Sequence, residues 1–195
     1  MNKLMGFYEL KDLDIPTIHW KIFNQDTRLD KDLLWTIRVA VKSGDDLNLP
    51  RVVGVTNEEA EAKGRLLLEA YEGKGIVIYY PYFIAVKSGV IDMHKDRTVI
   101  EAVEKDLWNL VTHGKKNVTV IITGTGSEYY GDSAFLTAYE TSELIKYGSI
   151  IKSRYREVLN VGKSLLAEWS FAYNTDARHQ PIGEKYLVFY ELRSV

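Results

Sequence analysis

The residues of this sequence best suited to chemistry are two glutamates and an arginine near its carboxyl end. Glu168 lies in an Ala-Glu-Trp segment, and Glu191 and Arg193 end a mostly apolar segment that begins at residue 186. Side chains alternate between the faces of a strand, so Glu191 and Arg193 point to the same side. If the two segments pair as a hairpin, Glu168 and Glu191 could converge as oxygen ligands for Mg²⁺, with Arg193 beside them for phosphate. The alternative is an edge hairpin whose charges are solvated.

The elements that must position these residues include several strands rich in aromatic and β-branched side chains. Such runs predict strands at residues 17–23, 33–41, 76–86, 99–103 and 118–122. Pro81 interrupts the third run, which is therefore predicted to be either bent or at a sheet edge. Ser88-Gly89 predicts a turn, and a loop is expected at residues 123–127.

Helices are predicted between these strands. Thr56 and Glu59 have the spacing of a capping box, which predicts a helix that runs to about Tyr71. A short helix is expected at residues 106–113, and a longer one at 134–159 with a break near Gly148. Strands outnumber helices and are mixed with them, so we expect an α+β fold with mainly antiparallel sheets. The 195 residues fit one domain, which could have two lobes.

Other candidate sites carry weaker signals. Gly124-Thr125-Gly126 follows a buried strand and could cradle a phosphate, but it lacks a following Gly-Lys-Ser/Thr, which favours a plain connection. Asp45-Asp46 favours a solvated loop, and the basic residues between 146 and 163 favour a solvated helix face. The histidines show no pair at i, i+4 spacing, which disfavours a histidine metal site; they are His19, His94, His113 and His179.

Composition narrows the class of protein. Charged residues make up 27% and hydrophobic ones 46%, which is typical of a globular protein. The net charge of −2 gives no electrostatic footprint for nucleic acid or an anionic membrane. The absence of cysteine excludes disulfides and thiol chemistry. We find no apolar signal region and no stretch that approaches 18 apolar residues, so a soluble cytoplasmic protein is expected.

Five segments of the chain form an ordered series. They are residues 2–17, residues 38–54, Ser88-Gly89-Val90, residues 99–114, and the closing pair at residues 167–169 and 190–193. In this order they resemble the ATP-binding domain of the phosphoenolpyruvate synthase and pyruvate phosphate dikinase family, a variant of the ATP-grasp fold. The resemblance covers nearly the whole chain and implies an ATP-grasp-like architecture.

The resemblance also implies binding of ATP and Mg²⁺. Lys3 and Arg38 would contact the ATP phosphates, Glu168 and Glu191 would hold Mg²⁺, and Arg193 would assist phosphate binding. The residue types suit these roles, because arginine is a bidentate phosphate ligand and carboxylates bind a hard cation. The implied function is that of an ATP- and Mg²⁺-binding protein related to dikinase-type phosphotransferases. A separate protein or a small molecule would be the phosphate acceptor.

The chain departs from the family pattern in ways that support a second interpretation. Val39-Ala40 stands where the family has two serines, Leu107-Trp108-Asn109 where it has Leu-Gly-Glu, and Glu191 where it has a neutral glutamine. Residues 24–33 occupy the place of a much longer helical segment. The alternative is therefore a degenerate, non-catalytic binding or oligomerisation module of the same fold, such as a homo-oligomer.

Overall fold

The structure, a computed structural model, describes residues 3–41 and 49–195, apart from the side chains of residues 3, 109, 111 and 112. This part of the chain contains five helices and ten strands. In chain order they are α1 (Lys3–Lys11), β1 (Lys21–Ile22), β2 (Trp35–Val41), β3 (Arg51–Val55), α2 (Asn57–Ala70), β4 (Gly75–Pro81), β5 (Phe83–Met93), β6 (Arg97–Glu104), α3 (Trp108–His113), β7 (Val118–Thr123), β8 (Gly126–Gly131), α4 (Ala138–Arg154), α5 (Arg156–Asn160), β9 (Leu165–Thr175) and β10 (Pro181–Ser194).

The strands form two antiparallel sheets. The larger sheet has six strands in the order β10-β9-β5-β6-β7-β8, and the smaller has four in the order β1-β4-β2-β3. Every pair of neighbouring strands in both sheets is antiparallel. The α+β class and the antiparallel sheets expected from the sequence are therefore confirmed.

Three clusters of buried side chains stack these elements in layers. One cluster packs α4 and α5 against the outer face of the large sheet, around residues such as Leu144, Ile151 and Trp169. A second fills the space between the two sheets and includes Phe7 of α1. The third packs α2 against the other face of the small sheet. The two sheets thus face each other, with a helical layer outside each, and the side chains of the second cluster are buried between them.

Pro81 marks the place where the chain passes from one sheet to the other. β4 ends at Pro81, opposite Trp35, and β5 begins two residues later in the large sheet. Neither strand lies at an edge, so the prediction of one bent or edge strand at residues 76–86 is wrong. Proline has no N–H for a strand ladder, and here it ends the strand.

The turn predicted at Ser88-Gly89 is also wrong, because both residues lie inside β5. Gly89 is opposite Ala102 on one side and Trp169 on the other. A Cβ added at Gly89 would collide with the Glu101 carbonyl oxygen and the Trp169 ring. The glycine is therefore required for close packing within the sheet, which is the other common reason for a glycine in a strand.

The helix predictions fare differently from one another. The capping box is confirmed: the Thr56 hydroxyl accepts a hydrogen bond from the Glu59 N–H at 3.3 Å, and α2 follows. The short helix expected at residues 106–113 is present as α3. The break expected near Gly148 is wrong, because α4 continues to Arg154. Gly148 is buried against Ile91, so its missing side chain lets the helix approach the sheet.

Four other segments differ from expectation. Of the strand predicted at residues 17–23, only Lys21–Ile22 and an isolated bridge at Thr17 pair with other strands. Ile18, Trp20 and Phe23 are nevertheless buried, so these apolar side chains join the core although most of the segment is not paired in a sheet. Strands β3 and β8 and helix α1 have no counterpart in the sequence-based prediction. The loop that contains Asp45-Asp46 lies outside the described residues.

Candidate functional site

The predicted closing hairpin is present, and it brings the two glutamates together. β9 and β10 pair antiparallel, with Glu191 directly opposite Glu168. The register shifts between Phe189 and Glu191, which is the signature of a β-bulge. Phe189 and Leu192 both pack in the core under α4, although they are three residues apart. The bulge therefore turns Glu191 to the inner face of the sheet, where strict alternation would have pointed it outward.

The inner face of the small sheet supplies a cation to this position. Arg38 lies in β2, and its Nη2 is 3.3 Å from Oε2 of Glu191. Both side chains are buried, with 11% of Arg38 and 2% of Glu191 exposed. The guanidinium also lies over the ring of Phe7, 5.4 Å from its centroid. Arg38 and Glu191 thus form a buried ion pair that joins the two sheets.

Arg38 is surrounded by further polar groups. Burial by itself lowers the pKa of the Arg38 guanidinium, but the neighbouring Tyr80, Glu191 and Glu168 outweigh this effect and raise the pKa above its usual value. Glu168 therefore belongs to the same electrostatic cluster. Arg38 therefore stays positively charged, and its charge offsets the electrostatic repulsion between the two carboxylates.

A chain of hydroxyl groups lies next to the carboxylates on the same face. Ser88 and Ser170 are 2.8 Å apart through their hydroxyl oxygens, and the Tyr190 hydroxyl is 3.5 Å from that of Ser170. Burial raises the pKa of Tyr190 well above its usual value, and the negative charge of Glu168 adds to the effect. Tyr190 therefore stays neutral. Sequence reasoning missed these groups, although strand alternation from Glu168 places Ser170 on its face.

Arg193 is the member of the cluster that reaches a cleft. Its Nη1 is 4.0 Å from Oε1 of Glu191, so the prediction that these two side chains share a face is confirmed. Arg193 is 32% exposed, and with Glu168 it lines a cleft of about 310 Å³. The Nε atom of Arg193 is buried and has no hydrogen-bond partner among the described residues. A cationic group with unused hydrogen-bonding capacity thus faces this cleft.

The opposite wall of the cleft carries charges of both signs. Lys116 Nζ is 2.7 Å from Oε1 of Glu101, and both residues line the cleft together with Leu110 and Gly114. Helix α3, which contributes Leu110, packs between β6 and the inter-sheet core.

Other predicted site residues are not brought into this cluster. The backbone of Lys3 begins α1, but its side chain lies outside the described part of the chain. The Gly124 turn lines a different cavity, on the outer face of the large sheet. Within residues 3–41 and 49–195, no group of three or more His, Asp or Glu side chains could hold a metal ion. Among these described residues, Glu168 and Glu191 are therefore not joined by a third His, Asp or Glu side chain that could complete a metal site.

The residues at the site fit a magnesium ion only in partnership with a ligand. Glu168 and Glu191 offer oxygen ligands from adjacent strands, whereas Mg²⁺ takes six and commonly completes its shell with phosphate oxygens and water. Glu191 is also held by Arg38. A metal ion brought by a polyphosphate therefore suits the donor set better than one bound by the protein alone.

Comparison with protein-family models and with curated proteins gives no match for the chain. None of the helices in the described ranges has the length and hydrophobicity that a membrane-spanning helix needs.

Proposed function

We propose that the chain binds a nucleotide together with Mg²⁺, ATP in the first instance, between its two sheets. The observation that carries the proposal is the convergence of Arg38, Glu168, Glu191 and Arg193, which come from β2, β9 and β10. Two carboxylates beside two guanidinium groups suit a ligand that supplies both a divalent cation and phosphate oxygens. The ATP-grasp-like resemblance of the sequence supports the same ligand.

The exposures of the four side chains suggest separate roles for them. Arg193 reaches the cleft, so it would bind a phosphate group directly. Glu168 also lines the cleft and would hold the metal ion, with Glu191 as the second carboxylate. Arg38 is more deeply buried and holds Glu191 in position from the facing sheet. The bound metal ion would offset the negative charge of the phosphates.

Phosphotransfer requires access for an acceptor as well as a bound nucleotide. Gly114 and Lys116 are exposed at the rim of the cleft, opposite Arg193. A protein or a small molecule that accepts phosphate would approach from this side. The charged cluster supports the binding of ATP. Transfer of a phosphate group to an acceptor is a further step of the proposal.

One observation favours a second candidate, a non-catalytic binding or oligomerisation module. The Arg38–Glu191 pair spans the two sheets and is almost fully buried, which is also what a purely structural link would look like. In that case the glutamate in place of the family's glutamine would serve the packing of the two sheets, and no nucleotide would bind.

Calorimetry and thermal denaturation with Mg·ATP separate the two candidates. At a concentration one hundred times its dissociation constant, a ligand of the native state adds about 2.7 kcal/mol of stability. For a chain of this size we expect the melting temperature to rise by about 5–10 °C. If ATP produces no rise with or without Mg²⁺, the nucleotide proposal is wrong and the second candidate is preferred.

Variants test whether the predicted residues are responsible. Arg193→Gln should weaken ATP binding, and Glu168→Gln should raise the Mg²⁺ concentration needed for half-maximal binding. Arg65→Gln is the matched control, because Arg65 is 38% exposed and pairs with Glu61 on α2, away from the cleft. If the control weakens binding as much as Arg193→Gln does, the ligand is not held at the proposed site.

A further inference from the structure

A second cavity, of about 580 Å³, lies on the outer face of the large sheet, away from the Arg38–Glu191 pair. One wall is formed by the loop before β6, the start of β6, the end of β7 and the turn at Gly124, and the other by α4 and α5. Pockets that bind small molecules commonly have volumes of roughly 300–1,000 Å³. The cavity therefore has room for a ligand about the size of a nucleotide.

The lining of this cavity is strongly cationic. It includes one acidic side chain, Asp96, and four basic ones, which are Lys95, Arg97, Lys152 and Arg156. The formal charge of these five side chains is about +3, in a chain whose net charge is −2. Positive charge is thus concentrated at this cavity, although the protein as a whole is slightly acidic.

Basic residues line both walls of this cavity. On the helical wall, Ile145, Ser149 and Lys152 follow one another at intervals of four and three residues along one face of α4, and Arg156 begins α5. On the other wall, Lys95 lies in the loop before β6, and Arg97 begins β6 opposite Thr123 of β7. The sequence suggested only a solvated basic helix face, because it could not show that this face lines a cavity together with Lys95 and Arg97.

These cations are not used in the internal ion pairs of the protein. In the described part of the chain, no salt bridge or side-chain hydrogen bond engages Lys95, Arg97, Lys152 or Arg156. Burial lowers the pKa of Lys152, with nearby Asp96 acting in the opposite direction. Lys152 is thus partly desolvated without a compensating anion within bonding distance, and a bound anion would supply one.

The uncharged part of the lining contains three apolar side chains, Ile122, Ile145 and Leu159, and five polar ones, Thr98, Thr123, Ser149, Ser153 and Asn160. Leu159 is buried, Ile122 packs against the core, and Ile145 is 37% exposed at the rim. A Cβ added at Gly124 would meet no atom within 4 Å, so the backbone of this turn is accessible. The cavity thus combines apolar side chains with basic and neutral polar ones, a combination that suits a ligand with an anionic group on an apolar body.

We propose that this cavity binds a small molecule that carries a phosphate group on an apolar or aromatic body. The phosphate would lie near Lys152 and Arg156 on the helical wall, with Lys95 on the other wall, and the body would pack on Ile122, Ile145 and Leu159. The turn at Gly124, which by its sequence resembles a plain connection, forms part of the rim. The site is independent of the nucleotide site proposed above, since the large sheet separates them.

Phenyl phosphate is a suitable probe, with inorganic phosphate and phenol as its two halves. We expect calorimetry on the full chain to give a dissociation constant for phenyl phosphate below about 1 mM, at least about tenfold tighter than for either half. In amide NMR spectra the titration should produce saturable shifts at Gly124 and along the helical wall. Shifts confined to the strands around Glu168, or no saturable shift at all, would overturn the proposal.

Charge-removing variants locate the site, with controls on the same helical segment. Lys152→Gln and Arg156→Gln should each weaken phenyl phosphate binding about tenfold, because each removes a charge-assisted contact. Lys146→Gln and Arg154→Gln remove the same charges from residues that do not line the cavity, and they should change binding less than about twofold. Equal losses in all four variants would mean that only diffuse charge attracts the probe, and the proposal would be rejected. Lys95→Gln, at an exposed residue of the other wall, gives a further test if a helix variant fails to fold.

Discussion

Replacing the two members of the buried ion pair one at a time should have unequal consequences for stability. Arg38→Met removes the guanidinium that lies 3.3 Å from Glu191, which is 2% exposed and opposite Glu168; Arg193 remains at 4.0 Å from the other carboxylate oxygen. Removing one partner of a buried ion pair typically destabilises a protein by about 3–5 kcal/mol. We therefore expect the free energy of unfolding to fall by that amount.

Glu191→Gln should be milder. The glutamine oxygen can still accept a hydrogen bond from Arg38, and the charge of Arg38 is still offset by Glu168. Weakening a hydrogen bond to a charged group in this way should cost about 1–2 kcal/mol. In the double variant the repulsion between the two carboxylates is also gone, so its loss should be about 2–3 kcal/mol, less than the sum of the two single losses.

Urea denaturation followed by tryptophan fluorescence measures all four free energies, because Trp169 is fully buried in the native state. If the double variant loses as much free energy of unfolding as the two single variants together, Arg38 and Glu191 do not interact and the expectation is wrong. It is equally refuted if Glu191→Gln is more destabilising than Arg38→Met.

Two further predictions concern the rest of the fold. Glu140 is 1% exposed and contacts Lys87 at 2.6 Å and Lys185 at 2.9 Å. Burial acts to raise its pKa, but the hydrogen bonds from Lys185 and Lys87 outweigh this and lower the pKa to about 2. The stabilisation is therefore present above pH 4.5 and lost as the pH falls toward 2, so acid titration of stability should show this loss in the wild type and not in Glu140→Gln. Glu140→Gln should itself cost about 3 kcal/mol at neutral pH, measured by urea denaturation. A Cβ at Gly6 would collide with a carbonyl of β10, so Gly6→Ala should lower stability by about 1–3 kcal/mol. Gly124→Ala, where a Cβ meets nothing within 4 Å, is the control and should leave the urea midpoint nearly unchanged.

Strand pairing within the closing hairpin was predictable because its determinants are local. The alternation of apolar side chains and the intervening polar turn identify two strands, and a hairpin must then place Glu168 near Glu191. The capping box at Thr56 is similarly local, since both hydrogen bonds lie within four residues. Such features depend on the sequence immediately around them.

The contacts between the sheets were not predictable from local pattern. The position of Arg38 opposite Glu191 depends on how two sheets face each other over a separation of 153 residues, and the family resemblance alone pointed to Arg38. The β-bulge before Glu191 is another such feature, because nothing in residues 186–192 distinguishes it from regular alternation. The predictions at Gly89 and Gly148 were wrong for the same reason. From the sequence alone, a glycine that allows close packing of a neighbouring strand or helix cannot be distinguished from one that ends a strand or helix.

Paramagnetic NMR with Mn²⁺·ATP would locate a metal–nucleotide complex bound between the two sheets. Manganese prefers the same oxygen ligands as magnesium, and it broadens the signals of nearby nuclei. We expect broadening of the amide signals around Glu168 and around residues 190–193, with no effect at Gly124 or along the helical wall of the second cavity. If these signals do not broaden at a concentration of Mn²⁺·ATP that saturates the protein, or if the broadening centres on Gly124, the proposal of a metal–nucleotide site between the sheets is contradicted.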